Sequence, residues 1–503
     1  MRLFCMTIAL LFSGSLFCQA FLPPPPISQM RYELSLIKDA FTALHPGLLR
    51  YNTPAAIGAA FADAEKALYD LQSERDYYLL LSRLAARVKC GHTYLNPWNQ
   101  KEAVAGRLFS ATCLPLLFKV VDRRFIVTHN LSADPSICPG DEIISFNAIP
   151  AKAALDSLLQ VSRSDGRHGQ GKMLDNLSIF PLDADTSNYA LFDIYFPLFF
   201  PELFNAKEYR LLIKPHGKRP VSKRLQAISK KERQELYLQR FGPLPVNEAG
   251  WTFRLLDKNA AYLRLGDFGT WNWSSDYKVY LDSVFTLLKN SGISNLVIDI
   301  RGNEGGLDEA RDEVLAYIMD KPSGCSARSR RLYKFLSVPD TLLPLLKTWN
   351  AEFKKPKDPA AYTKGADGLF EKTDTSKTPC PPLPVKHQLF TGSLYLLINS
   401  SNSSASFTMA DIIQREKRGI LIGEPTGGTK QGLNGGQFFF FYLPYSGFEI
   451  DIPLVWGAPS EHRPDEGVQP DHIVRTSQKD IVLGRDAQLR FALKKIRKHS
   501  IRP

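Results

Sequence analysis

The chain reads as an α/β protein, with helices packed on a largely parallel sheet in its second half and an all-helical region and a small strand-rich module before it. Two observations predict this. From Trp251 onward, apolar strand-like runs alternate with segments of helical period, the pattern of a sheet covered by helices. Between residues 32 and 89 the apolar positions recur only at helical spacing. At 503 residues the chain is too long for one simple core, so two to four domains are expected. With 44% apolar and 23% charged residues it has the composition of an ordinary globular protein.

The elements follow in order. Met1-Arg2 precedes an apolar run from Leu3 to Phe17, and Cys18-Gln19-Ala20 offers small residues for cleavage. Residues 1–20 therefore read as a secretory signal peptide, too short for a membrane span, and the protein as exported to periplasm or exterior. A Pro-rich spacer, Leu22 to Ile27, carries the first domain away from the cleavage site. Residues 27–105 form a helical cap: Leu34, Ile37, Phe41 and Leu44 share a face that stops at His45-Pro46-Gly47, and residues 55–70 and 77–88 add further helices. Residues 106–165 change character. Phe118 to Val121 and Phe125 to Val127 are strand-like, and Pro139 to Asn147 delivers another strand and then a helix at Ala151 to Leu159. This order resembles the carboxyl-terminal half of a PDZ domain, a module that takes peptides as an added strand. Residues 166–250 hold a Gly-rich turn, an aromatic stretch and a basic segment, and read as an insert without assigned structure. The α/β core spans 251–475: strands at Ala261 to Leu265, Asn295 to Ile300, Leu394 to Ile398 and Ile420 to Ile422, helices at Tyr277 to Asn290 and Ser406 to Gln414. A hairpin follows, from Phe438 to Leu443 and Phe448 to Leu454 around Pro444-Tyr445-Ser446-Gly447. Residues 476–503 are a basic tail.

Four segments carry the chemistry. Residues 399–407, Asn-Ser-Ser-Asn-Ser-Ser-Ala-Ser-Phe, open a helix with hydroxyls beside unsatisfied N–H groups, a setting that favours developing negative charge. Leu296 to Ile300 breaks into Arg301-Gly302-Asn303-Glu304-Gly305-Gly306. Pro464-Asp465-Glu466-Gly467-Val468-Gln469-Pro470-Asp471 lies downstream, and Cys90-Gly91-His92-Thr93 near the N-terminus. In this order and spacing they resemble the S41 peptidase family, the tail-specific or C-terminal processing proteases, and within it the histidine-using branch related to tricorn core protease. The resemblance spans roughly Tyr32 to Val474 and implies a core sheet of the ClpP/crotonase kind.

It also implies the site. Ser404, one residue before Ala405 at the mouth of a helix, matches the nucleophile; Ser400, Ser401, Ser403 and Ser406 are its capping or solvating neighbours. His92 matches the general base, for which neutral imidazole is suited, with His462 as runner-up. Asp465 matches the orienting carboxylate, with Glu466 as an alternative and Asp471 fixing the turn. Lys430, after Pro425-Thr426-Gly427-Gly428, raises the Ser–Lys dyad of the family's other branch. Gly305 or Gly306, with the Ala405 amide, would hold the oxyanion. Many family members carry Glu three residues after the nucleophile; here Phe407 stands there.

The function this implies is an exported serine peptidase that cuts unstructured peptide segments through an acyl-enzyme, without a cofactor. A catalytically inactive peptide-binding protein of the same fold is the alternative. Neither CxxC nor HExxH occurs, so spacing gives no argument for a metal. The five cysteines outside the signal, Cys90, Cys113, Cys138, Cys325 and Cys380, leave at least one thiol free. The net charge of +12 gathers in residues 214–240, with nine Lys/Arg against two Glu, and 476–503, with eight against two Asp. Neither segment interleaves aromatics with its charges, which argues for solvated faces over nucleic-acid binding. Peptide is the expected partner; the apolar-Gly-apolar-Gly-apolar type of carboxylate-binding loop is absent from residues 106–127.

Overall fold

The computed structural model describes residues 21–319, 329–373 and 385–500. The expected signal peptide, with Cys325 and Cys380, lies outside them. No helix among the described residues is long and apolar enough to cross a membrane.

Residues 27–108 are helical: Ile27–Leu44, Pro54–Ala67, Glu74–Ala86 and Glu102–Leu108. Thr53 and Ser73 cap the second and third helices by accepting from Ala56 N and Asp76 N. The first buries Leu34, Ile37, Phe41 and Leu44, the face its period predicts.

A six-stranded antiparallel sheet follows, in the order Leu116–Val121, Arg124–Asn130, Glu142–Phe146, Glu208–Lys214, Val221–Gln226, with the short strand Ile149–Pro150 also paired to Glu142–Phe146. Its last two strands come from beyond residue 165, so the segment read as an insert is partly the edge of the preceding module's sheet. The reason is register: Glu142 to Phe146 pairs with Leu211 to Lys214 across a stretch no local pattern connects. Part of the basic segment is also structural. Arg233 on the helix Lys230–Phe241 is fully buried, donating to Asp193 Oδ2 at 2.6 Å and to the Asp183 carbonyl at 3.0 Å. Pairing with Asp193 offsets the cost of burying this guanidinium.

The core sheet runs His472–Ile473, Gly419–Gly423, Ser393–Ile398, Asn295–Asp299, Ala260–Leu265, Trp251–Leu255, parallel throughout except for the last strand. Its central strands are buried on both faces, as all-parallel strands must be. One face is covered by the helices Tyr277–Asn290, Asp308–Ile318 and Ser404–Arg415. The other is covered by Ala487–Ser500, whose Leu489, Ala492 and Ile496 pack on Val297, Tyr395, Leu397 and Ile422. The segment expected as a basic tail is thus a core-covering helix. Arg301 ties it down, donating to Asp486 Oδ1 at 2.8 Å and Gln488 Oε1 at 2.5 Å.

The hairpin Leu433–Tyr442 and Glu449–Pro459 belongs to a third, antiparallel sheet with Leu346–Lys347, Ser329–Tyr333, Phe370–Lys372 and Tyr362–Lys364. It leans on the helical region, where Tyr77 and Tyr78 meet the Phe448 ring, and so brings that region over the carboxyl ends of the core strands.

Candidate active site

Two turns at the carboxyl ends of the core strands Asn295–Asp299 and Ser393–Ile398 are stitched together by side chains. Asn399 Oδ1 accepts from Gly302 N at 3.0 Å, and Asn402 Nδ2 donates to the Asn303 carbonyl at 3.0 Å. Ser403 and Ser406 donate to the carbonyls of Glu304 and Asn303 at 3.0 and 2.6 Å. Ser400 and Ser401 instead face the Asp175 carboxylate. The Ser/Asn run is therefore buried mortar, where the sequence suggested caps and solvated loop.

Ser404 is the first residue of the helix Ser404–Arg415 and has φ +52°, left-handed backbone that a non-glycine residue adopts only under constraint. Gly305 supplies part of that constraint. It has φ +113°, and a Cβ on it would fall 2.6 Å from Ser404 Cβ and 3.0 Å from Ala405 N. The Ser404 hydroxyl makes no hydrogen bond among the described residues. The Ala405 N–H lies in the first helical turn, where backbone donors have no helical acceptor. The Gly305 N–H is taken by Asn303 Oδ1 at 2.8 Å, which corrects the expectation that it could serve an oxyanion. Gly306 has φ +134° and is pressed against Phe268, where a Cβ would sit 2.2 Å from a backbone carbon.

His92 hangs from the loop after the helix Glu74–Ala86. The loop is fixed by Gly91 N donating to Asp165 Oδ1 at 2.9 Å and by Arg163 donating to the Gly91 carbonyl at 2.7 Å. On the next turn, His45 holds Thr93: Gly47 N donates to His45 Nδ1 at 2.9 Å, so the ring proton sits on Nε2 and is given to Thr93 Oγ1 at 2.8 Å. The His92 ring lies 5.6 Å from that of Phe438 on the hairpin, and its Nδ1 is buried without a hydrogen-bond partner.

His92, Asp165, Arg163, Lys172, Glu304 and Ser403 line one cavity of about 50 Å³. Glu304 bridges its cations, 2.6 Å from Lys172 Nζ and 3.7 Å from Arg163. Burial opposes its ionisation, but Lys172 and Arg163 outweigh that and hold its carboxyl below the usual range. For His92, burial pushes the imidazole pKa down; the opposing charge of Asp165 recovers only part, and Arg163 and Lys172 lower it further. The ring is neutral at neutral pH, the form a base requires.

The carboxylate beside His92 is Asp165, whose oxygen and a His92 ring nitrogen fall within 4.8 Å of each other. Asp465, the sequence expectation, is engaged elsewhere: it accepts from Arg167 N and Thr429 Oγ1, each at 3.0 Å, and its Oδ1 would lie 2.2 Å from a Cβ on Gly166. It buttresses the loop that carries Asp165. The two remaining alternatives hold each other, Lys430 Nζ lying 3.1 Å from Glu466 Oε1. His462 is exposed. Asp471 accepts from Leu421 N at 2.8 Å and fixes the last parallel strand.

Residues 259–474 match the model of peptidase family S41. The S41 match is to this segment, under half of the chain. A carboxyl-terminal-processing protease of Picosynechococcus sp. (strain ATCC 27264 / PCC 7002 / PR-6) is 24% identical over 225 residues, 44% of this chain and 41% of that protein's length. Among solved structures, mature CPAF complexed with lactacystin shares the fold with a TM-score of 0.61 at 12% identity, over 93% of this chain and 97% of that one. Mature CPAF gives 0.60 at 13%, over 93% and 96%. The fold likeness thus extends well beyond the S41-matching segment, through the helical and antiparallel regions before it. Within that segment, Phe407 has a structural reason to replace Glu: it is buried, and its ring packs where a Cβ on Gly428 would stand 2.5 Å away.

Asp165, Arg163 and Lys172 escaped sequence reasoning. They lie in a segment of no clear period and meet His92 only through long-range loop packing. The one available signal was a Gly-rich turn, Gly166 to Gly171, of the kind that lets loops approach closely.

Proposed function

We propose that this chain is a serine peptidase in which Ser404 attacks the scissile carbonyl, His92 takes its proton, and Asp165 orients the imidazole. The observation that carries the reading is Ser404 itself, a serine held at φ +52° at a helix mouth and next in the chain to Ser403, which lines the His92 cavity. The attack forms the Oγ–C bond and places negative charge on the carbonyl oxygen. The Ala405 N–H and the Gly306 N–H are the donors for that charge. Imidazolium then protonates the leaving amine, and water regenerates the serine by the reverse sequence.

Peptide is the substrate class of the family, and unstructured segments suit a site reached between a helical cap and a hairpin. The absence of an apolar-Gly-apolar-Gly-apolar carboxylate-binding loop from residues 106–127 leads to little dependence on a free C-terminus. Residues 1–20 direct export, which cell fractionation of tagged full-length protein tests. The mechanism is tested by a fluorophosphonate probe and a peptide assay: Ser404→Ala abolishes labelling and lowers turnover by about 10³-fold or more. Equal activity in the variant removes Ser404 from the reaction.

One observation favours the inactive peptide-binding alternative: His92 and Ser404 share no hydrogen bond among the described residues. Catalytic hydrogen bonds often tighten only with substrate bound. Peptide binding without labelling or cleavage in the unmodified protein would establish that alternative.

A further inference from the structure

The loop that delivers His92 also delivers a thiol. Cys90 is buried, and its Sγ, a His92 ring nitrogen and an Asp165 oxygen all lie within 4.8 Å of one another. Each is incompletely used. Cys90 accepts one long bond, from Asn434 Nδ2 at 3.4 Å, and one Asp165 oxygen receives Gly91 N. The buried Nδ1 of His92 has no partner. The cavity beside them reaches His92 and Asp165. Thiolate, imidazole and carboxylate together are a zinc donor set, with the fourth position left to water. Zn–S and Zn–N bond lengths set donors about 3.5 Å apart, so from separations within 4.8 Å the three draw in by about 1.3 Å at most, a rotamer-scale adjustment. Arg163 and Lys172 stand nearby, but Glu304 engages both.

We propose that Cys90, His92 and Asp165 form a zinc site that switches the peptidase off. Binding exchanges the Cys90 S–H bond for a Zn–S bond and releases that proton to solvent. An imidazole that gives one ring nitrogen to zinc carries its proton on the other, so it has no lone pair for the Ser404 proton. Zinc therefore withdraws the base and its orienting carboxylate in one step. The inhibitory part of this proposal rests on His92 being the base; the site itself does not.

Metal-free full-length protein is titrated with Zn²⁺ by calorimetry and with Co²⁺ by near-ultraviolet absorption, alongside Cys90→Ser and a control, Cys113→Ser, at a buried thiol on another element. The expected result is one zinc per chain, proton release, and a thiolate–cobalt band. Cys90→Ser loses the band and binds zinc at least tenfold more weakly, while Cys113→Ser keeps both. Should Cys90→Ser fail to fold, Asp165→Asn is read by zinc affinity alone, with the same weakening expected. Zinc inhibits peptide cleavage at the concentration at which it binds. Equal zinc affinity in unmodified and Cys90→Ser protein, or no zinc binding by the folded chain, overturns the site. Zinc binding in a protein that never cleaves peptide leaves the site standing and removes the base assignment. Cleavage unaffected by bound zinc removes the inhibition.

Discussion

At the scale of single residues, the site is a matter of which polar groups are spent and which are free. Asp465 is spent on Arg167 N and Thr429, Gly305 N–H on Asn303, and Lys430 on Glu466. Ser404 Oγ, His92 Nδ1 and the Ala405 amide are left over. This predicts a ranking. Asp165→Asn lowers kcat by roughly 10²–10⁴-fold by releasing the imidazole, whereas Asp465→Asn acts through the loop and costs less. Steady-state kinetics on the two variants decide it, and the reverse order restores Asp465 as the orienter. The pH profile follows from His92 and its neighbours Asp165, Arg163, Lys172 and Glu304. Burial holds the imidazole below the ordinary value of 6.5, so the base stays competent below that pH. The acid limb of kcat/KM, measured in chelated buffer, falls at a lower pH than an unperturbed histidine gives.

At the scale of elements, the helix Ser404–Arg415 is placed by its entrance more than by its propensity. A left-handed residue at its first position and a glycine pressed on that residue are a matched pair. Gly305→Ala puts a methyl 2.6 Å from Ser404 Cβ and forces φ +113° on a residue with a side chain. The expected cost is about 1–3 kcal/mol of stability, with loss of activity beyond what the remaining folded fraction explains. Urea unfolding and active-site labelling on the same sample separate the two effects. A variant as stable and as active as the parent would mean the turn is not held by this contact.

At the scale of the whole molecule, His92, the proposed base, is positioned by parts far apart in sequence: the helical region, residues 163–172 and the hairpin all touch the loop carrying it. His45 anchors that assembly in its neutral form, and burial holds its pKa down to about 3. The unfolded chain protonates the same ring near 6.5. Between those values the unfolded state binds the extra proton, so stability is full above pH 6.5 and is lost as pH falls. The loss attributable to His45 is about 2 kcal/mol between pH 7 and 5. Denaturant unfolding at both pH values, against His45→Gln, checks it: the variant is the less pH-sensitive of the two by about that amount. Equal slopes would show that His45 is protonated in the fold or plays no part.

By itself the sequence determined the elements whose period is local. The helix face of Leu34, Ile37, Phe41 and Leu44, the alternation after Trp251 and the hairpin around Pro444 all stand where their patterns put them. The segments 90–93, 301–306 and 399–407 each fold around a contiguous turn with its own backbone demands. Tertiary structure alone decided the rest. The strands at 208–226 joined an earlier module through long-range register, and the basic tail became a helix because the second face of a parallel sheet must be covered. Asp165 came to lie near His92 while Asp465 is engaged by Arg167 and Thr429, because loop packing follows three-dimensional closure, which carries no period. A carboxylate seventy-odd residues from its histidine leaves no local trace, and neither does a thiol, an imidazole and a carboxylate brought to one point.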